Sequence, residues 1–456
     1  MYNENVNQAK GVCYYMKHKC VSSVSKKKRR RRNRIKRIWR FVGILGCILL
    51  VILLCSLIFP LTVWEEKDME NTESDTTEVL EEVQNVEEEL TEVVIEDEET
   101  KRLKQAKALL DEMTLEERVY QMFIVTPEQL TGVEQVTQSG NTTKAAIEKH
   151  PVGGIIYFAG NLISREQCSS MIQNIQSYSK TSLFIAVDEE GGKVARVGKN
   201  PEMGTTSFQP MGEIGATEDV SKAYEVGYTI GTDISELGFN LDFAPVADVF
   251  SNPDNTVIGD RAFSSDPQIA AEMVASCVRG FNDSGILCTL KHFPGHGDTI
   301  SDSHYGEVKI EKTLEELFAC ELIPFQAGID IGVPFVMIGH LTVPQVTEED
   351  CPATLSYEIV TELLREEMGF EGIVITDSMQ MQAITDRYSS GTAAVKAIEA
   401  GVDIILMPQN LQDAVDGVLA AVENETLTEE RIEESVLRIL QMKISKEIIK
   451  IDTNEM

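Results

Sequence analysis

The sequence predicts an α/β fold, a (β/α)8 TIM-like barrel preceded by a transmembrane helix and an acidic stalk. Three observations carry that expectation. Eight short apolar runs alternate with helical stretches over roughly 340 residues, the arithmetic of eight strand–helix units. Residues 41–63 form an uncharged apolar run. At ~1.5 Å per residue it is long enough for the ~30 Å hydrocarbon core of a bilayer. Residues 65–99 then hold 17 acids and one lysine, with no aromatic residue.

Taken in order, residues 1–40 carry 14 Lys and Arg against one acid, Glu4. This basic tail precedes the apolar run, which is flanked by Trp39 and Trp64, the chain's two tryptophans. The positive-inside rule places residues 1–40 in the cytoplasm and the rest outside, as a single-pass cell-membrane protein. A cleaved signal peptide is the competing reading, but the run is too long and no clean cleavage site follows. Residues 64–102 read as an extended, self-repelling stalk. Val79, Val83, Val86, Leu90 and Val93 also trace a heptad seam, and flanking acids oppose a parallel coil there. Residues 41–456 hold 27 basic and 73 acidic residues, which excludes nucleic acid as the main partner. The nine cysteines show no metal-ligand spacing.

The barrel is expected over residues 103–450. Thr114-Leu115-Glu116-Glu117 is a capping box that opens a helix. The strands are expected at Gln121–Val125, Gly154–Phe158, Leu183–Val187, Asn240–Pro245, Ile286–Lys291, Pro334–Gly339, Gly372–Thr376 and Asp403–Met407. Helices are expected at Ser221–Leu237, Thr313–Ala327, Ser356–Met368 and about Thr428–Lys443. A doubly wound open sheet is the alternative, but Thr126-Pro127-Glu128 follows the first strand where a glycine-rich phosphate turn would be needed.

In a barrel the reactive groups sit just past the strand ends. There the sequence has Asp188-Glu189-Glu190, Asp248, Asp260-Arg261, His340 and Asp377-Ser378-Met379. The fifth strand runs into Lys291-His292-Phe293-Pro294-Gly295-His296-Gly297-Asp298-Thr299-Ile300-Ser301-Asp302-Ser303-His304. Three of the six histidines fall in this stretch, and burying such groups unpaired is costly. An isolated Asp after a strand reads equally well as a helix cap, but several ionisable groups at one rim do not. No H-E-x-x-H or G-x-S-x-G pattern occurs, so neither a metal nor a cofactor is expected. Carboxylates, a Lys-His pair and arginines suit a polyhydroxylated substrate.

These motifs resemble the single-domain β-N-acetylglucosaminidases of glycoside hydrolase family 3, over about residues 103–445. The resemblance rests on Asp-Glu-Glu-Gly-Gly-Lys-Val-Ala-Arg at 188–196, Asn-Leu-Asp-Phe-Ala-Pro-Val-Ala-Asp-Val at 240–249 and Ile-Gly-Asp-Arg-Ala-Phe at 258–263. It rests also on Lys-His-Phe-Pro-Gly-His-Gly followed by Asp-Ser-His, and on Ile-Thr-Asp-Ser-Met at 375–379. It implies Asp377 as nucleophile, His304 as acid/base and Asp302 as its partner. Asp188, Arg196, Arg261, Lys291, His292 and Met379 are implied as substrate-binding. Ser378 departs from the family, which often has a second Asp there. The implied substrate is a terminal β-linked N-acetylglucosaminide, including muropeptide-like glycans. A retaining route needs two such groups about 5 Å apart. Substrate-assisted catalysis, phosphorolysis, another family 3 β-glycosidase activity and a catalytically inactive glycan-binding scaffold stay open. Glu189 is the first alternative proton donor.

Overall fold

The computed structural model describes residues 98–299, 303, 306–348 and 350–450. The basic tail, the apolar run at 41–63 and nearly all of the stalk, its heptad seam included, lie outside the described residues, as do Asp302 and His304.

Helix Leu115–Gln121 opens on Thr114, whose hydroxyl accepts the Glu117 N–H while the Glu117 carboxylate accepts the Thr114 N–H. The eight apolar runs do form strands: β1 (Phe123–Val125), β2 (Gly154–Ile156), β3 (Phe184–Val187), β4 (Leu241–Asp242), β5 (Thr289–Phe293), β6 (Phe335–Ile338), β7 (Ile373–Thr376) and β8 (Ile405–Leu406). All their ladders are parallel. Burial on both faces explains why they read as continuous apolar runs rather than alternating ones.

Two expectations need correction. The uniform barrel is replaced by a parallel half-barrel sheet of five strands, ordered β8-β1-β2-β3-β4, and a second sheet of three, ordered β7-β6-β5. Isolated bridges at Leu241–Leu287 and Ile375–Ile404 stand where a continuous ladder was expected. The cause is local: β4 and β8 are two residues long, and Pro245 has no N–H to extend the ladder past β4. The second correction concerns the membrane. Among the described residues no helix is long and apolar enough to cross a bilayer, so a single-pass membrane location is not supported. The longest described helix, Pro267–Ser284, has 18 residues but carries Gln268, Glu272, Arg279, Asn282 and Asp283. Such a composition cannot face lipid.

The sheets enclose a packed interior. Phe184 on β3 and Phe335 on β6 meet edge to face, with centroids 5.5 Å apart. The expected helix Thr313–Ala327 is two helices, Leu314–Ala319 and Leu322–Asp330, separated at Cys320 and Glu321. Beside this break lies the turn after β5. Gly295 has φ +124°, and a Cβ there would come within 2.7 Å of Glu321 Cβ. At Gly297 a Cβ would lie 1.7 Å from the Val249 carbonyl oxygen. Both glycines are thus required for the turn to pack.

Candidate active site

The strand ends open on one cavity of about 480 Å³. Asp188 follows β3, Lys291 and His292 lie in β5, and Asp377 follows β7; all four side chains line the cavity. Arg261 reaches it from the short helical turn Gly259–Arg261, and Arg196 from just beyond the hairpin strand Val194–Ala195.

Four charges form the wall. Lys291 Nζ lies 2.8 Å from Asp188 Oδ1 and 2.6 Å from Glu190 Oε1. Arg261 holds Glu190 with two parallel bonds, Nη2 to Oε1 at 2.8 Å and Nε to Oε2 at 2.9 Å. Burial pushes the Glu190 carboxyl up, but Lys291 and Arg261 outweigh it and hold it far below the usual range. Burial likewise opposes the Lys291 cation, while Asp188 and Glu190 more than restore it. All of Glu190's strong contacts are therefore internal. Asp188 keeps a loose partner at its second oxygen, with Arg196 Nη2 3.7 Å away. That oxygen, the third Lys291 proton and one Arg261 Nη1 proton are among the unused hydrogen-bonding capacity of the wall.

His292 is oriented from behind. Its Nδ1 lies 2.8 Å from Asp248 Oδ2, and its Nε2 lies 3.4 Å from Arg261 Nη2. A carboxylate only accepts, so Nδ1 donates to Asp248. The other Asp248 oxygen accepts the backbone N–H of His296 at 2.6 Å. His296 also lines the cavity, with Nδ1 2.7 Å from the Thr299 hydroxyl. Its burial, then the neighbouring His292, push its imidazole below the ordinary value.

Asp377 Oδ1 accepts the Ser378 N–H at 2.7 Å. Among the described residues its Oδ2 has no hydrogen-bond partner. Burial raises its carboxyl, but His292, His340, the Ser378 N–H and Lys291 together hold it below the usual carboxylate value. It is an ionised oxygen at the edge of the cavity. His340 Nε2 lies 2.9 Å from the Ser378 carbonyl and steadies the turn that carries Asp377.

The structure thus brings Asp188, Arg196, Arg261, Lys291, His292 and Asp377 together. It does not bring Met379 to this cavity: the side chain is buried in the core, beside a void of about 10 Å³ with Ile384, Tyr388 and Ile405. Asp302 and His304 are outside the described residues, but Ser303 between them is buried and lines the cavity. Its carbonyl accepts the Ala383 N–H at 3.3 Å. Glu189 is turned away. Its carboxylate accepts the Val197 and Gly198 N–H groups at 2.6 and 3.1 Å, closing the hairpin. Glu190 and Asp248 had no role assigned from sequence. Glu190 was detectable, because in extended chain it shares a face with Asp188 two residues earlier.

Residues 114–442 match the glycosyl hydrolase family 3 N-terminal domain. The chain is 35% identical over 325 residues to β-hexosaminidase A of Pseudoalteromonas piscicida, which covers 65% of this chain and 54% of that protein. It is 34% identical over 290 residues to a β-hexosaminidase of Stenotrophomonas maltophilia, covering 62% of this chain and 83% of that one. The solved family 3 β-N-acetylglucosaminidase from a Paenibacillus species superposes with a TM-score of 0.69 at 36% identity, covering 75% of this chain and 65% of that one. The chain therefore spans about half the length of the first of these relatives. With the matching domain filling most of the chain, this protein belongs to glycosyl hydrolase family 3.

Proposed function

We propose that the protein is a retaining β-N-acetylglucosaminidase that removes terminal β-linked N-acetylglucosamine, including from muropeptide-like glycans. The observation that carries this reading is the free, ionised Asp377 Oδ2 beside a wall of Asp188, Lys291 and Arg261. The relatives named β-hexosaminidase supply the sugar class. In the first step Asp377 Oδ2 attacks the anomeric carbon as the glycosidic bond breaks. His304 gives its proton to the departing oxygen. In the second, the same imidazole takes a proton from water, which attacks the anomeric carbon and frees Asp377. Asp302 orients and stabilises the imidazolium.

The test is hydrolysis of an aryl β-N-acetylglucosaminide and of a muropeptide-like fragment, by the wild type and Asp377→Ala. The wild type releases N-acetylglucosamine from both. Asp377→Ala loses turnover, and a 2-fluoro glycoside inactivator labels Asp377 of the wild type. Full binding with no turnover by the wild type makes the chain a glycan-binding scaffold. Retained activity in Asp377→Ala moves the attack to the substrate's own acetamido oxygen. Sugar release that requires phosphate makes it a phosphorylase.

A further inference from the structure

The Asp377 carboxylate is held by residues that stand outside the cavity. Strands β6 and β7 are parallel, with Ile338 paired to Thr376. Two residues past each strand, the same register sets His340 beside Ser378. The Asp377 N–H donates to the Ile338 carbonyl at 2.9 Å, so the two chains are still in step there. His340 is 1% exposed and is not among the residues that line the cavity. A carbonyl only accepts, so its Nε2 donates to the Ser378 oxygen, 2.9 Å away. The Met381 N–H donates to that oxygen too, at 3.1 Å, which fills both lone pairs. Across the ring, Nδ1 lies 2.7 Å from the Thr354 hydroxyl, itself 3.0 Å from the Gly339 carbonyl.

Ser378 links this buried ring to the reacting carboxylate. Its N–H donates to Asp377 Oδ1 at 2.7 Å, while its carbonyl is held by His340. A carboxylate is planar and rigid, so whatever fixes Oδ1 also fixes the direction of Oδ2. Removing the imidazole takes away one of the two donors that hold the Ser378 carbonyl, and the N–H that fixes Oδ1 can then swing with the residue. An attacking oxygen displaced by about 1 Å costs up to ~10²-fold in rate.

We propose that His340 is a positioning residue for the nucleophile, aiming Asp377 Oδ2 at the anomeric carbon through its hydrogen bond to Ser378; this rests on the reading of Asp377 as nucleophile. A histidine that only filled the interior would affect stability alone. Its replacement would leave the attack by Asp377 unchanged in the folded protein.

The experiment follows inactivation by a dinitrophenyl 2-fluoro glycoside in wild type, His340→Leu, His340→Gln and Thr354→Val, with a urea midpoint for each. In this reaction Asp377 Oδ2 bonds to the anomeric carbon as dinitrophenolate leaves with the bonding pair. That leaving group needs no proton, so the acid/base group does not enter the measurement. Leucine nearly matches the bulk of the ring but lacks the donor. In His340→Leu the first-order rate constant of inactivation falls about 10- to 100-fold, while the half-saturating concentration moves less than about twofold. His340→Gln, whose amide N–H reaches the same carbonyl, restores most of the loss. Thr354→Val, one step further back, gives a smaller fall of about 3- to 10-fold. If the wild type turns over substrate but is labelled elsewhere than at Asp377, or not at all, the nucleophile reading fails and the proposal with it. If Asp377 of the folded His340→Leu variant is labelled at the wild-type rate, the positioning role alone is overturned. A change confined to the half-saturating concentration also overturns it, as does a loss in His340→Gln equal to that in His340→Leu. Where His340→Leu does not fold, an unchanged rate constant in Thr354→Val overturns it.

Discussion

Two clusters of buried charge sit among the strands, and they do different things. At the C-terminal strand ends, Glu190 is clasped by Lys291 and Arg261 beside a cavity. Just before β8, at the opposite strand ends, Asp403 is fully buried between Arg365 and Arg438. Its Oδ2 accepts from Arg365 at 2.5 Å and from the Val374 N–H at 3.0 Å. Its Oδ1 accepts from Ser435 at 2.7 Å and from Arg438 at 3.0 Å. Burial raises that carboxyl, but Arg365, Arg438 and Arg431 hold it below its ordinary value. Every acceptor position there is filled from within the protein. In the C-terminal cluster, Asp188 Oδ2 and one Lys291 proton remain for a ligand. Burial and perturbed ionisation are common to both, so neither marks a site; unused hydrogen-bonding capacity next to open volume does.

The largest effects should separate the clusters by kind. Glu190→Gln leaves Arg261 without its carboxylate and Lys291 with Asp188 alone, in a confined wall. We expect kcat/KM to fall by more than about 10²-fold, since both cations reorient. Asp403→Asn strands Arg365 and Arg438, and loss of one partner of a buried pair costs about 3–5 kcal/mol. We expect its denaturant midpoint to drop sharply while kcat/KM of the folded fraction stays within about twofold of wild type. Paired unfolding and kinetic measurements on the two variants check this. An Asp403→Asn enzyme of normal stability and poor kcat would erase the distinction.

A smaller effect sharpens it. Asp188→Asn keeps the size of the side chain and its contact with Lys291 but removes the charge that a sugar hydroxyl would meet. Hydrogen bonds to charged groups contribute about 1.5–3 kcal/mol, so kcat/KM should fall about 10- to 100-fold. The midpoint of unfolding should move little. A large stability loss with unchanged kinetics would mean that Asp188 is structural, like Asp403.

The sequence carried much of this, for physical reasons that differ by region. Doubly buried parallel strands have a long apolar signature, so β3, β6 and β7 were found within a residue or two. The two-residue strands β4 and β8 were overestimated, because the apolar runs outlast the ladder: Phe243, Ala244 and Ile404 are buried without belonging to it. At the site, the charged residues next to strand ends could be read from motif and position. The contacts of Glu190 could not. They depend on Arg261, 71 positions away, and on how the hairpin turns Glu189 inward. Met379 lies two residues past Asp377, but the chain leaves β7 in a turn rather than staying extended, and its side chain enters the core.

The smallest effect expected concerns a third buried charge, which has no ionic partner in contact among the described residues. Lys443, in helix Glu429–Ser445, is fully buried, with Nζ 3.0 Å from Gln121 Oε1 and 4.9 Å from the centre of the Phe184 ring. Burial pushes its amine down to about 7. An unfolded lysine titrates near ~10.4, so between about pH 7 and 10.4 the unfolded chain holds a proton that the folded chain has released. Stability from this group therefore rises with pH across that window, and is lowest and flat below about 7. Lys443→Met removes the penalty and keeps the volume, at the loss of one hydrogen bond to Gln121. We expect a gain in stability at pH 7.5 that shrinks toward zero by about pH 10, with kcat/KM unchanged. Urea unfolding of the two proteins at both pH values decides it. An equal gain at both would mean that packing, not the buried amine's charge, sets the difference.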